Sequence, residues 1–185
     1  MGPPRIFTVG HSTRSLEELI AILGQAGIEL LVDVRSVPRS RRHPQFERTA
    51  LVESLPAHGI GYLHARELGG FRRPQADSKN GGWEQPAFRG YADYMDTEQF
   101  GSALDELQRE ARSRLSCVMC AEAQWWRCHR RLISDALVIR GWQVGHLGLR
   151  EEPVPHGLTP FAIVGPGQTL TYPPAQLELS NQNEP

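Results

Sequence analysis

The sequence predicts an α/β protein with a three-layer, Rossmann-like, mostly parallel sheet of about five strands and helices on both faces. Short apolar runs alternate with amphipathic segments along the chain, which implies parallel strands joined by right-handed crossovers. One of these runs, Ile28–Val34, is apolar almost throughout, as expected for a strand that is covered on both faces. No internal repeat is visible.

The first 34 residues predict a βαβ unit. A short strand, Ile6–Val9, ends at a Gly-His-Ser segment, residues 10–12, and Ser15-Leu-Glu-Glu18 forms a capping box that begins a helix. The apolar face of this helix consists of Leu16, Leu19, Ile20 and Leu23. Gly27 ends the helix, and the second strand follows directly.

The middle of the chain is less regular. Residues 35–48 form a predicted loop with two prolines and five arginines, and a helix over 49–58 and a strand over 60–64 follow it. Residues 66–90 are rich in glycine, arginine and proline and lack periodicity. They are therefore expected to form a long irregular excursion, which in a compact domain is usually functional or disordered.

The second half of the chain continues the alternation. Asp96–Ser113 is a predicted helix with Thr97 as a cap, and Leu115–Met119 is a predicted strand. A helix over Arg127–Arg140 and a strand over Trp142–Leu147 complete a single domain, residues 1–149. The proline-rich tail, residues 150–185, is expected to wrap the surface or to be partly disordered.

Composition and charge limit the classes of function that the protein can have. A net charge of −1 gives no global signature of nucleic-acid binding, and no apolar run is long enough to cross a membrane. The chain shows no secretory signal, and its three cysteines are too few for a complete disulfide set. These features predict a cytoplasmic protein without a membrane partner. They do not predict its oligomeric state.

Chemically versatile side chains collect where the predicted strands end, and this edge of a parallel sheet usually binds ligands. The candidate catalytic residues are His11, Asp33, Cys120, Glu122, Arg127, Cys128 and His129. A metal site assembled from His11, Asp33, Glu122 and His129 is one interpretation. Carboxylates and imidazoles suit manganese or magnesium as well as zinc, and no organic cofactor is expected. The alternative is that Asp33 pairs with a nearby arginine and His129 packs or caps a helix.

The predicted arginine loop is the segment that most clearly indicates an anionic partner, either nucleic acid or a phosphorylated small molecule. The candidate substrate-binding residues are Ser12, Arg35, Arg39, Arg41, Arg42 and Arg130. Among the cysteines, Cys117 and Cys120 are three residues apart on a strand, so they point to opposite faces and do not form a redox pair. Cys120 and Arg127 instead resemble the thiol and arginine of a phosphatase loop, with one extra residue between them.

Several short blocks recur in order and together resemble the DUF488 family, a domain of unknown function. The blocks are Gly10-His-Ser12, Asp33-Val-Arg35-Ser-x-Pro38-x-Ser-Arg41, Phe46, Leu68-Gly-Gly70, Phe88-Arg-Gly-Tyr-Ala92 and Met119-Cys-Ala-Glu122 with Cys128-His-Arg130. The resemblance covers about residues 6–148 and implies a compact α/β domain. It also implies that the family's motif positions include His11, Asp33, Arg35, Cys120, Glu122, Cys128 and His129.

Three hypotheses follow from the sequence. The leading one is an enzyme acting on phosphodiester or nucleotide substrates, most concretely a divalent-metal-dependent nuclease. The second is an enzyme of the phosphatase or transferase type that uses Cys120 as a nucleophile, with His11 or His129 as its base. The third is a non-catalytic nucleic-acid-binding module that uses the arginine loop for phosphate contacts.

Overall fold

The computed structural model describes residues 2–175 of the chain. Within them the strands are β1 (Arg5–Gly10), β2 (Leu30–Asp33), β3 (Gly61–His64), β4 (Ser116–Cys120), β5 (Gln143–His146), β6 (Val154–Pro155), β7 (Ile163–Gly165) and β8 (Thr169–Thr171). The helices are α1 (Leu16–Gln25), α2 (Arg48–Ser54), α3 (Pro86–Tyr94), α4 (Glu98–Ser113) and α5 (Arg130–Val138).

Six of these strands form one sheet in the order β3-β2-β4-β1-β5-β6. The first five strands along the chain pair in parallel, and the two-residue β6 adds an antiparallel edge next to β5. The predicted mostly parallel sheet is therefore confirmed. Its register places Gly10 of β1 opposite Cys120 of β4, and Asp33 of β2 opposite His64 of β3, so the carboxyl ends of these strands meet at one edge.

Helices cover both faces of the sheet, which confirms the predicted three layers. On one face α1 and α2 bury Leu19, Leu23 and Leu51 against a core cluster that also contains Cys117. On the other face α3, α4 and α5 pack on a second cluster, against which Cys120 also packs. Cys117 and Cys120 thus lie on opposite faces of β4, as the alternation of side chains along a strand requires.

The start of α1 follows the sequence pattern closely. The Ser15 hydroxyl accepts a hydrogen bond from the backbone N–H of Glu18, and the Glu18 carboxylate accepts one from the backbone N–H of Ser15. Thr97 caps α4 in the same way by accepting from the N–H of Phe100. Gly27, just after α1, has a φ of +66°, a conformation that favours glycine.

Two segments differ from the sequence predictions. Helix α3 lies partly within the excursion predicted to be irregular, because Pro86 occupies the first turn, where the missing N–H costs nothing. Its buried positions Phe88, Tyr91 and Ala92 form too short an apolar face to stand out in a glycine-rich segment. Helix α5 begins at Arg130 rather than Arg127, because residues 125–127 form a 3-10 turn.

Much of the proline-rich tail is built into the fold. Strand β6 extends the sheet, β7 and β8 form a separate hairpin, and Leu170 and Tyr172 are buried in the same core cluster as α5. Wrapping or partial disorder was expected for the whole tail, residues 150–185, and the last ten of these, residues 176–185, lie outside the described residues. None of the helices within residues 2–175 combines the length and the apolar character that crossing a membrane requires.

Candidate functional site

A cavity of about 850 Å³ opens at the edge of the sheet where β1, β2 and β4 end. It brings together most of the residues that the sequence indicated as functional. Its lining includes His11, Ser12, Arg35, Arg39, Cys120, Glu122, Arg127, Cys128 and His129. Four further candidates do not belong to the lining: Asp33, Arg41, Arg42 and Arg130. Of these, Arg41 and Arg42 are exposed.

The wall formed by residues 121–123 lies directly over the end of β1. The N–H of His11 donates to the carbonyl of Cys120 at 2.9 Å, and the N–H of Ser12 donates to that of Ala121 at 2.9 Å. This close approach requires a glycine at position 10, because a Cβ there would lie 1.9 Å from the carbonyl oxygen of Glu122. Gly10 at the end of β1 thus allows the cavity wall to pack closely against this strand.

Arg130 supports the same wall from inside the protein. Its side chain is 1% exposed and donates to the carbonyls of Glu122 and Ala123 and, at 3.3 Å, to the hydroxyl of Thr8. Arg130 was predicted to bind substrate, but it does not line the cavity, and its two terminal nitrogens donate to these oxygens. Its observed contribution is to hold the loop between β4 and α5 in place.

Asp33 is buried and fully engaged with its neighbours. Its carboxylate accepts hydrogen bonds from the backbone N–H and side chain of Arg35, with the shortest contact at 2.6 Å, and from the Tyr62 hydroxyl at 2.7 Å. The Arg35 guanidinium also donates to the carbonyl of Phe46. The structure therefore contains the Asp33–arginine pair that was the alternative to a metal site. Neither oxygen of this carboxylate is free to face the cavity.

His11 is a neutral, satisfied imidazole. Its Nδ1–H donates to the carbonyl of Ser12 at 2.9 Å, so its Nε2 accepts from the guanidinium of Arg35 at 3.3 Å. The ring stacks on Phe46 with 4.3 Å between centroids. Burial lowers the pKa of His11 to about 4. A guanidinium pointing at Nε2 makes this nitrogen a poor ligand for a cation.

The most distinctive group in the cavity is formed by Cys120, Cys128 and His129, here called the thiol cluster. One donor atom from each residue lies within 4.8 Å of the others, and among residues 2–175 this is the one group of three potential metal ligands so arranged. The distance from Cys128 Sγ to His129 Nδ1 is 3.6 Å. The metal ligands expected from the sequence, His11, Asp33, Glu122 and His129, do not form such a group.

The two thiols of the cluster differ in acidity. The hydrogen bond from the Cys120 thiol holds the pKa of Cys128 well below its usual range, and the positive charge of Arg130 acts in the same direction. Donating this hydrogen bond raises the pKa of Cys120 well above its usual range. Cys128 is the member of the pair that ionises first.

Several lining residues were not among the sequence candidates, and Phe71 and Gly70 stand out among them. Phe71 is 93% exposed at a φ of +61°, an uncommon conformation for an aromatic residue. A Cβ on Gly70 would lie 3.1 Å from His129 Nδ1, so the glycine leaves room for this imidazole. The Leu68-Gly-Gly70 block was the signal that could have placed this segment at the site.

The fold and the cavity define the class of protein, a Rossmann-like α/β domain with two thiols and an imidazole at the carboxyl edge of its sheet. The profile of Domain of unknown function DUF488 matches residues 15–137, more than half of the chain. The protein therefore belongs to the DUF488 family. No curated protein and no solved structure matches the chain.

Proposed function

We propose that the protein is an enzyme that hydrolyses phosphodiesters or nucleotides, most concretely a divalent-metal-dependent nuclease, and that the reaction takes place in the cavity. One observation supports this proposal above others. The same cavity is lined by the exposed arginines Arg39 and Arg127 and by the thiol cluster. The arginines are suited to bind an anion, and the thiol cluster is a chemically reactive group beside them.

Arg39 and Arg127 are the side chains suited to hold the substrate. Both guanidiniums are exposed in the lining, and arginine binds phosphate oxygens through two parallel hydrogen bonds. Arg35 also lines the cavity, but Asp33, His11 and the backbone occupy its donors. Its role in this proposal is to brace the cavity wall.

Hydrolysis requires a base for the attacking water. The Glu122 carboxylate is exposed in the cavity lining, where its one observed hydrogen bond is from the backbone N–H of Gln124 at 3.2 Å. In the proposed reaction a water oxygen forms a bond to phosphorus while the ester P–O bond breaks. Glu122 accepts the proton from the water, and the leaving oxygen takes up a proton from solvent.

The test is an assay of bis(p-nitrophenyl) phosphate, single-stranded DNA, RNA and nucleoside triphosphates with zinc, manganese or magnesium. We expect turnover of at least one substrate, with loss of turnover in a chelator. Arg127→Ala is expected to lower kcat/KM by about 100-fold, because it removes a donor to the developing negative charge. Arg41→Ala is the matched control, since Arg41 is exposed but lies outside the cavity lining. No turnover of any substrate, or equal losses in both variants, would contradict the proposal.

A second candidate function is favoured by the position of the thiols in this cavity together with Arg127. The sequence indicated Cys120 as the nucleophile, but the pKa of Cys128 is the lower of the two, so Cys128 is the thiol that ionises first. A Cys128 thiolate would attack phosphorus, forming an S–P bond as the ester oxygen leaves, and water would then break the S–P bond and restore the thiol. This mechanism predicts turnover that resists chelators and is lost after alkylation of the thiols. Salt-sensitive binding of nucleic acid without any turnover would instead favour a non-catalytic module.

A further inference from the structure

We propose that Cys120 Sγ, Cys128 Sγ and His129 Nδ1 bind one zinc ion. The inference deepens the proposed function by naming the residues that hold the metal, and it rests on that function only for the ion's part in catalysis. Binding itself follows from the geometry and chemistry of the thiol cluster. On binding, two Zn–S bonds and one Zn–N bond form, and the thiol protons pass to solvent.

The donor atoms have the spacing that a tetrahedral zinc site needs. With Zn–S near 2.3 Å and Zn–N near 2.05 Å, neighbouring sulfur and nitrogen ligands are separated by about 3.6 Å. The observed distance between Cys128 Sγ and His129 Nδ1 is 3.6 Å. The Cys120 sulfur lies within 4.8 Å of both atoms, so a small side-chain adjustment brings the third ligand to the ion.

A hydrogen bond already orients the imidazole for metal binding. His129 Nε2 lies 3.2 Å from the carbonyl oxygen of Val34, which can only accept, so Nε2 carries the proton. The lone pair is therefore on Nδ1, the nitrogen that faces Cys128. Histidine ligands of metals commonly donate their other N–H to a carbonyl in this way, which fixes the tautomer and the ring orientation.

The chemistry of the donors selects zinc over the metals expected from the sequence. Two sulfur ligands and one imidazole suit zinc, whereas manganese and magnesium prefer oxygen ligands. Of the oxygen donors expected from the sequence, Asp33 accepts hydrogen bonds from Arg35 and Tyr62, and Glu122 does not belong to the group of converging donors.

The site has the form of a catalytic zinc centre. Three protein ligands leave one of the four tetrahedral positions free, as in zinc enzymes that bind water or substrate there. Because all three residues line the cavity, that position faces the space in which we propose that the substrate binds. A structural zinc site would be closed by a fourth protein ligand.

The test measures metal binding independently of activity. The full-length protein is stripped with a chelator under reducing conditions, reloaded with zinc and analysed for metal content, and cobalt replaces zinc in a parallel sample. We expect about one zinc per chain and the intense absorption of tetrahedral cobalt bound to thiolates. Cys128→Ser is expected to weaken zinc binding by more than about 100-fold, because even indirect supports of metal ligands contribute 10-fold to 100-fold.

Cys117→Ala is the matched control, since this thiol lies on the same strand as Cys120 but in the opposite core cluster. It should keep the zinc content and the cobalt spectrum of the wild type. Thermal unfolding with and without zinc provides a second readout, since zinc should stabilise the wild type and Cys117→Ala but not Cys128→Ser.

The inference would be overturned by a negligible zinc content, by a cobalt spectrum without thiolate bands, or by undiminished zinc binding in Cys128→Ser. Formation of a Cys120–Cys128 disulfide in place of metal binding would also overturn it. Zinc binding without hydrolysis would leave the inference standing and contradict the proposed function. Hydrolysis that needs manganese or magnesium, in a protein that does not bind zinc, would contradict the inference and leave the proposed function standing.

Discussion

At the scale of single residues, the cavity depends on a position that has no side chain. Gly10 lies beneath the loop 121–123, and a Cβ at this position would collide with the backbone of Glu122. We expect Gly10→Ala to lower the free energy of unfolding by about 1–3 kcal/mol, because backbone atoms must shift to relieve the overlap. Urea unfolding of the purified variant measures this loss.

Gly101 provides the control of opposite sign. It lies within α4, and a Cβ there would meet nothing within 4 Å. Gly101→Ala should therefore stabilise the protein by about 0.5–1 kcal/mol through its higher helix propensity. Equal effects of the two substitutions would show that the space above Gly10 is not restricted.

Residue types predicted the location of the site better than they predicted the role of each residue. Asp33 and Arg35 were candidates for metal and phosphate binding, and the structure pairs them with each other. An aspartate and an arginine two residues apart at the end of a strand form an ion pair with each other when their side chains point the same way. A sequence does not show this, because the competing partners come from other elements, such as Tyr62 of β3.

At the scale of elements, a buried hydrogen-bond chain ties the tail to the sheet and to α5. The Thr8 hydroxyl lies 2.7 Å from His146 Nδ1, and His146 Nε2 lies 2.9 Å from Nδ1 of His156, which follows β6. His156 Nε2 lies 2.9 Å from the carboxylate of Asp135 in α5. Because the carboxylate accepts, each imidazole in this chain donates from Nε2 and accepts at Nδ1.

This chain predicts how stability depends on pH. Burial, with the nearby His156 and Arg130, lowers the pKa of His146 to about 2. Its folded pKa thus lies below the unfolded value near 6.5, so the unfolded state binds more protons between these limits. The contribution to stability is complete above about pH 6.5 and is lost as the pH falls, by about 1.4 kcal/mol per unit.

The measurement is urea unfolding between about pH 6.5 and pH 4. His146→Asn removes the titrating group, so its stability should fall less steeply with decreasing pH, by up to about 1.4 kcal/mol per unit. His58→Gln, which replaces an exposed histidine, serves as the control. Parallel curves for the wild type and His146→Asn would contradict this role of His146.

The same elements show where sequence patterns stop being informative. The capping box of α1 and the buried run of β2 follow local rules, and the structure confirms both. Strands β6, β7 and β8 have only two or three residues each, so they show no measurable period. Their place in the fold depends on distant partners, such as the chain of histidines that reaches Asp135.

At the scale of the whole molecule, the location of the site follows from the parallel strands that end together at one edge of the sheet. The thiol cluster could not be predicted in the same way. Cys120 ends β4, and Cys128 and His129 precede α5, so their meeting depends on the path of the intervening loop. That path is set by Gly10 below it and by the buried Arg130.

We propose that the thiol cluster is the reaction centre of a phosphoester hydrolase. The most direct measurement is kcat/KM for the phosphodiester that the wild type hydrolyses best, compared between Cys128→Ser and Cys117→Ala. We expect Cys128→Ser to lose more than about 1000-fold, as when a group that acts as part of a catalytic unit is removed. Cys117→Ala should retain nearly the full rate. Equal rates for the two variants would contradict the claim.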